Sequence, residues 1–198
     1  PLQRLHMDLM GKFNQASLGG AFYALVIVDD YSRYTEVYAL PNKKAATVLE
    51  KVKEFIADHY TQGKLPATVM TDWGTEFMGE FEQFCIDKQI KIEHSCPYSA
   101  WQNGLVERAN RTLSRLARTM MLDSQLPSEF WALALSHAAF SSNRACHTHS
   151  RQTPFEKVFR KRPDLSNLKV WGCPGVVHVE DKFLPKDISL PHATAGIF

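Results

Sequence analysis

Apolar positions recur every second residue in three stretches near the start of the chain. Residues 5–13 place Leu5, Met7 and Leu9 on one side of an extended backbone and His6, Asp8 and Met10 on the other. Residues 21–28 contain the run Tyr23-Ala24-Leu25-Val26-Ile27-Val28, rich in residues that suit a pleated, buried surface. Asp29-Asp30-Tyr31-Ser32 is a turn signal, and residues 33–40 alternate again. Three strands joined by short turns predict an antiparallel meander.

The period then changes from two to 3.6. Ala45, Val48, Leu49, Val52, Phe55 and Ile56 line one face of a helix that opens after Pro41-Asn42 and ends by Gly63. Residues 67–70 read as a short buried strand running into Asp72. Residues 75–88 read as a helix with Phe77, Phe81, Phe84 and Cys85 on one side, and 91–95 as a fifth strand. A loop over 96–101, broken by Pro97, leads to a helix over 102–122, and Pro127 opens a fourth helix reaching about Ala145. A meander followed by βαβ units predicts an α/β fold, a five-stranded mixed sheet flanked by helices. Past Thr153, five prolines from Pro154 to Pro191 interrupt the pattern, with a strand or two in 169–179. The reading is a core over 1–153 and an extended post-core segment over 154–198. Both ends read as cuts, so the expectation is a fragment of a longer polypeptide.

Composition narrows the function classes. With 44% apolar and 22% charged residues in 198, the chain resembles neither a disordered tail nor a disulfide-dense scaffold. No apolar run approaches the roughly 18 residues of a membrane helix, and the start lacks a signal-peptide pattern. The net charge of +2 argues for no partner by itself. Locally, seven bases (Arg144, Arg151, Lys157, Arg160, Lys161, Arg162, Lys169) stand against Glu156 and Asp164, a stretch that could meet phosphates. The four cysteines are scattered, with no CxxC pair, which fits a reducing compartment. Cys146-His147-Thr148-His149 lacks the second ligand pair a zinc site needs.

Three carboxylates carry the candidate chemistry. Asp8 sits mid-strand among apolar neighbours, where a charge costs free energy unless something cationic meets it. Asp72 lies at a strand end before Gly74, and Glu107 in the first turns of a helix after Asn103-Gly104. Such a cluster repels itself unless divalent cations neutralise it. Its hard oxygens, without sulfur or paired histidine, favour Mg²⁺ or Mn²⁺. Two such ions roughly 3.5–4 Å apart suit an in-line phosphoryl displacement. Asp29 and Asp30 compete but read as turn residues; Glu76 is explained by a helix dipole, and Glu93 also competes.

Leu5-His6-Met7-Asp8, Thr71-Asp72-x-Gly74-x-Glu76-Phe77 and Tyr98-x-x-x-Gln102-Asn103-Gly104-x-x-Glu107-Arg108-x-Asn110-Arg111-Thr112-Leu113 together resemble the integrase core of copia-type retrotransposons. That family shares the retroviral-integrase catalytic domain and its ribonuclease-H-like fold. The resemblance covers about residues 5–165, and Val170-Trp171-Gly172-Cys173 resembles the segment that follows the core in copia-type polyproteins. It implies that Asp8, Asp72 and Glu107 are the catalytic, metal-binding triad, holding two Mg²⁺ or Mn²⁺ ions. It implies 3′-end processing and strand transfer of element DNA into target DNA, by a homo-oligomer without a membrane. The chain would be part of a retrotransposon polyprotein, cytoplasmic in a particle and nuclear at integration. Two departures stand out. Trp73 replaces the Asn usual after the second Asp, and 34 residues rather than 35 separate Asp72 from Glu107.

On the helix carrying Glu107, with Leu105 at zero, Leu105, Val106, Ala109, Leu113, Leu116, Ala117 and Met120 fall between about 0° and 120°. Glu107, Arg108, Arg111, Arg115 and Arg118 fall between about 200° and 300°. One face reads as core. The other sets four arginines in line with the glutamate, as a helix along a phosphate backbone requires. Arg108, Arg111, Arg115 and Arg118 join Asn103, Tyr98 and Trp101 as candidate DNA contacts, the aromatics as stacking groups. His6 could contact metal or DNA, or merely orient a neighbour. Trp73 favours one alternative, an integrase-derived DNA-binding module that has lost turnover. A ribonuclease-H-like nuclease that hydrolyses without joining is a third reading, against which Gln102-Asn103-Gly104 argues.

Overall fold

Five strands form one mixed sheet in the order β3-β2-β1-β4-β5. The computed structural model describes residues 1–60, 64–95, 100–146, 150–166, 168–178 and 193–197. The antiparallel meander is β1 (Arg4–Gly11), β2 (Tyr23–Asp29) and β3 (Thr35–Leu40). On the other side of β1, β4 (Thr68–Thr71) and β5 (Lys91–His94) add in parallel, each reached through a helical crossover. α1 (Ala45–His59) and α2 (Glu80–Asp87) supply those crossovers and cover one face. There Leu5, Met7, Leu25 and Ile27 pack against Val48, Val52, Phe55, Phe77 and Phe81. α3 (Ala100–Ser124) and α4 (Trp131–Arg144) cover the other. There Val26 and Val28 meet Val106, Leu113, Leu135 and Ala138. Asn143 ties α4 to the sheet: its amide accepts from the Thr35 N–H at 2.9 Å and donates to the Thr35 carbonyl at 2.7 Å.

Several elements differ from expectation. The helix read over 75–88 is split into a 3₁₀ turn, Thr75–Phe77, and α2. Gly79 between them has φ 64°, which no α-helix interior accommodates. The fourth helix likewise opens as a 3₁₀ turn, Ser128–Phe130, before α4. Residues after Thr153 do not run straight into extended chain: α5 (Pro154–Phe159) forms there. The Thr153 hydroxyl accepts from the Glu156 N–H, the Glu156 carboxylate accepts from the Thr153 N–H, and Pro154 takes the first turn. Pro154 is thus a helix starter, not a breaker. β6 (Pro174–His178) pairs antiparallel with β7 (Ala193–Ile197), a strand the pattern does not foretell. On α3, Leu116 is 37% exposed, because the buried positions Val106, Leu113 and Ala117 centre the core face nearer 100° than 60°. Cys85, Cys146 and Cys173 are free, while Cys96, His147 and His149 lie outside the described residues. Among the described residues, no helix is long and apolar enough to cross a membrane.

The β2–β3 turn is built around a buried carboxylate. Asp29 is 1% exposed. Its Oδ1 accepts from the Leu2 N–H at 2.7 Å, and its Oδ2 accepts from the N–H and hydroxyl of Ser32. Asp29 is a turn residue, as its context suggests, and Arg33 follows in the left-handed region at φ 68°.

Candidate active site

Strand register brings the first two carboxylates together. β1 and β4 pair Arg4 with Thr68 and His6 with Met70. Continuing that register by two residues sets Asp72 beside Asp8, on the face shared with His6 and Met70 and, across β2, Val26. β4 ends at Thr71, so its ladder stops short of Asp8. α3 runs over this same face and brings Glu107, which is exposed, and Asn110 one turn later. The Asn110 amide donates to Asp8 Oδ2 at 2.7 Å. Asn110 is a site residue that the sequence motif contains but that sequence reasoning does not single out. Its signal is the i, i+3 spacing from Glu107.

The electrostatics of the cluster are uncompensated. Burial pushes the Asp8 carboxyl up to about 6, and the charges of Asp72 and Glu107 push the same way. The Leu9 N–H and the Asn110 amide oppose them. Among the described residues none of the three carboxylates is ion-paired: the acidic partners in ion pairs are Asp30, Glu36, Glu50, Glu54, Glu82, Glu93 and Glu156. Asn110 Oδ1 is buried without a hydrogen-bond donor. No three His, Cys, Asp or Glu side chains among the described residues close on one ion.

The raised Asp8 carboxyl has a consequence for stability. Folded, it titrates near 6; free, near 3.8. As pH rises from about 4 through 6, the native state must ionise Asp8 against burial and like charge while the unfolded chain ionises freely. Stability from this group is therefore lost over that window. Asp8→Asn should stabilise the metal-free protein at pH 7.5 by about 2 kcal/mol, allowing for partial exposure, or about 4–8 °C in melting temperature. The gap should close below pH 4. Melts with chelator at both pH values check this; equal melting at pH 7.5 would mean that Asp8 carries no such burden.

Gly74 and Trp73 settle into opposite directions. The Gly74 N–H donates to Asp72 Oδ1 at 3.0 Å. A Cβ on Gly74 would stand 2.9 Å from that oxygen and 2.7 Å from the Glu76 carboxyl carbon, so any larger residue would push those two carboxylates aside. Glu76 thus lies near Asp72 in a single 3₁₀ turn, too short for the helix dipole expected to explain it. Trp73 is 56% exposed and stacks on His94 of β5, ring centroids 4.3 Å apart. β5 lies on the side of β4 away from β1, so the indole sits over the sheet edge and not over Asp8. Nothing in this placement favours an impaired site. Glu93 is paired with Arg4 and Lys91. His6 is 5% exposed, its Nε2 3.6 Å from Asp30, and burial lowers its pKa, which suits a packed neutral ring.

The arginine ridge has the exposure its spacing predicts: Arg108, Arg111, Arg115 and Arg118 all face solvent along α3. Tyr98 lies outside the described residues. Trp101 and Asn103 fall within the first turn of α3, and their side chains also lie outside the described ones.

A family model described as the integrase core domain matches residues 1–100. The chain is 30% identical over 193 residues to the retrovirus-related Pol polyprotein from transposon TNT 1-94 of Nicotiana tabacum. That alignment takes in 96% of this chain but 14% of the relative, so the chain spans a small part of the polyprotein it matches. Among solved structures, the HTLV-2 integrase catalytic core domain in complex with magnesium, in its trimeric form, superposes with a TM-score of 0.62 at 20% identity. It covers 80% of this chain and 97% of that one. The catalytic core domain of BIV integrase gives 0.62 at 24% identity, covering 81% and 95%. The shared fold is ribonuclease-H-like.

Proposed function

The chain belongs to the integrase core domain family, and from that premise we propose that it is a metal-dependent polynucleotidyl transferase. It would trim the 3′ ends of retrotransposon DNA and join them to target DNA. The observation that carries this reading is the Asp8 carboxyl, half-buried on β1 with Asp72 and Glu107 close enough to add to the rise of its pKa and no described cation paired with it. Asp8, Asp72 and Glu107 would hold Mg²⁺ or Mn²⁺, two ions in all, and the unpartnered Asn110 oxygen adds a further hard donor. When bound, the ions supply Lewis acidity to the attacking and leaving oxygens of the phosphodiester. Asn110 holds Asp8 in one rotamer through its 2.7 Å hydrogen bond. The arginine ridge offers guanidinium forks to phosphates, orienting a DNA backbone along α3. Residues 1–153 would form the catalytic core and 154–198 a post-core segment. The magnesium complex and trimeric form of the HTLV-2 core support the metal and a homo-oligomer; the transposon relative supports a polyprotein origin.

The test is a strand-transfer assay in Mn²⁺ and Mg²⁺ on the full-length protein, with element-end and target DNA. Joined product in either metal, lost with chelator, supports the reading; DNA binding without product under both metals overturns it. Replacing Arg111 and Arg115 by Ala should weaken DNA binding with little sequence preference. It should lower the slope of log affinity against log salt by about one unit for each phosphate no longer held. An unchanged slope would make the ridge mere solvated surface. Trp73→Asn should change the joining rate by less than about tenfold, roughly 1.4 kcal/mol of barrier, because the indole rests on His94. A hundredfold gain would instead mark the chain as an impaired copy.

A further inference from the structure

On the flank of α3 away from the carboxylates lies a cavity of about 270 Å³. Its floor is apolar, formed by Val28, Leu105 and Leu113, and its rim carries Arg33, Arg108 and Thr112. Around the axis of α3, with Leu105 at zero, Asn110 and Glu107 point to about 140° and 200° and Thr112 to about 340°. The arginines of the ridge lie between, from about 220° to 300°. A strand leaving the carboxylates therefore crosses the ridge and arrives at the cavity. A helix with its side chains is about 10–12 Å across, the rise of about three nucleotides.

The far wall is rigid. Arg33 comes from the β2–β3 turn, which the buried Asp29 pins through Leu2 and Ser32. Arg33 donates to Asp30 at 3.1 Å, and its side chain remains 48% exposed. Tyr31 in the same turn is 66% exposed, with the Lys157 ammonium 6.0 Å from its ring centroid. Two guanidinium groups, Arg33 and Arg108, with the hydroxyls of Thr35, Thr112 and Ser142, thus line an otherwise apolar hollow, and Tyr31 and Lys157 belong to its surroundings and not to its wall. That combination suits an unpaired nucleotide, base inward and phosphates on the guanidinium groups.

We propose that this cavity is a subsite for an unpaired DNA nucleotide a few positions from the reacting phosphate, with Arg33 and Arg108 on its phosphates. The inference rests on the integrase reading and deepens it. It assigns work to Arg33, which lies outside the carboxylate cluster and outside the ridge.

The experiment compares fluorescence anisotropy of two labelled duplexes on the full-length protein, one blunt and one with three unpaired nucleotides at its end. The unpaired duplex should bind about tenfold tighter. Thr112→Trp, which fills the cavity from an exposed helix position, should erase that difference and leave blunt binding unchanged. Arg33→Gly removes the guanidinium while suiting the positive φ of that position, so the turn survives; it too should erase the difference. Equal binding of the two duplexes by the parent protein, or loss of both in equal measure in Thr112→Trp, overturns the subsite. Blunt binding and strand transfer that persist without any preference for unpaired ends sink the subsite alone. A protein that binds neither duplex sinks the integrase reading with it.

Discussion

Asp8→Asn, Asp72→Asn and Glu107→Gln are each expected to lower strand transfer in Mg²⁺ by about a thousandfold or more, with the fold intact. Each change removes one negative oxygen ligand from the centre proposed to hold divalent ions, and a loss of about 4 kcal/mol of transition-state stabilisation is a factor of about 10³. Misfolding cannot mimic the result at Asp8. That carboxyl is raised to about 6 because its charge is unfavourable where it stands, so the Asn variant should melt higher while it falls silent. Stability and activity then move in opposite directions in one protein, as expected where like charges are gathered for chemistry. Strand-transfer rates and melting curves on the same preparations decide it. An active Asp8→Asn beside a dead Asp29→Asn that still folds would move the centre elsewhere.

Asp29→Ala should have the largest effect on stability, about 4 kcal/mol, and lower the melting temperature by about 8–15 °C. The carboxylate is 1% exposed and receives the Leu2 N–H and the N–H and hydroxyl of Ser32. Alanine leaves those three donors buried without an acceptor, each costing about 1–3 kcal/mol before relaxation. Asn, which keeps one acceptor oxygen, should lose about half as much. Urea denaturation checks this as a shift of the midpoint at constant slope. A loss under 1 kcal/mol for Ala would mean that water reaches the turn.

Two aspartates of similar sequence setting thus do opposite things, and the reason why is only partly legible in the residues. Period two places Asp8 on the face opposite Leu5 and Met7, and a turn signature marks Asp29 as structural. The neighbourhood of Asp8 and Asp72 depends on the β1–β4 register, which no local pattern encodes. Local cues also mislead where one residue's backbone outweighs the periodicity around it. Phe77, Phe81 and Cys85 are all buried as a helix face would have them, yet Gly79 divides the element. Pro154 reads as a breaker only when Thr153 and Glu156, which make it a helix start, are left aside. For Trp73 the question is direction, and the answer lies 21 residues on, in His94.

The β1–β4 pairing also orders events in time. Asp72 reaches Asp8 only when a strand 64 residues downstream docks in parallel, after α1 has carried the chain across. Helices and hairpins close within microseconds, whereas pairings between distant segments come late, because loop entropy opposes them until many contacts form together. A chain halted midway, with its helices and meander complete, would hold Asp8 on one strand and Asp72 still at large. Such an intermediate has no assembled centre and cannot cut nucleic acid. The proposed centre is therefore expected to assemble only once the long-range β1–β4 pairing has formed.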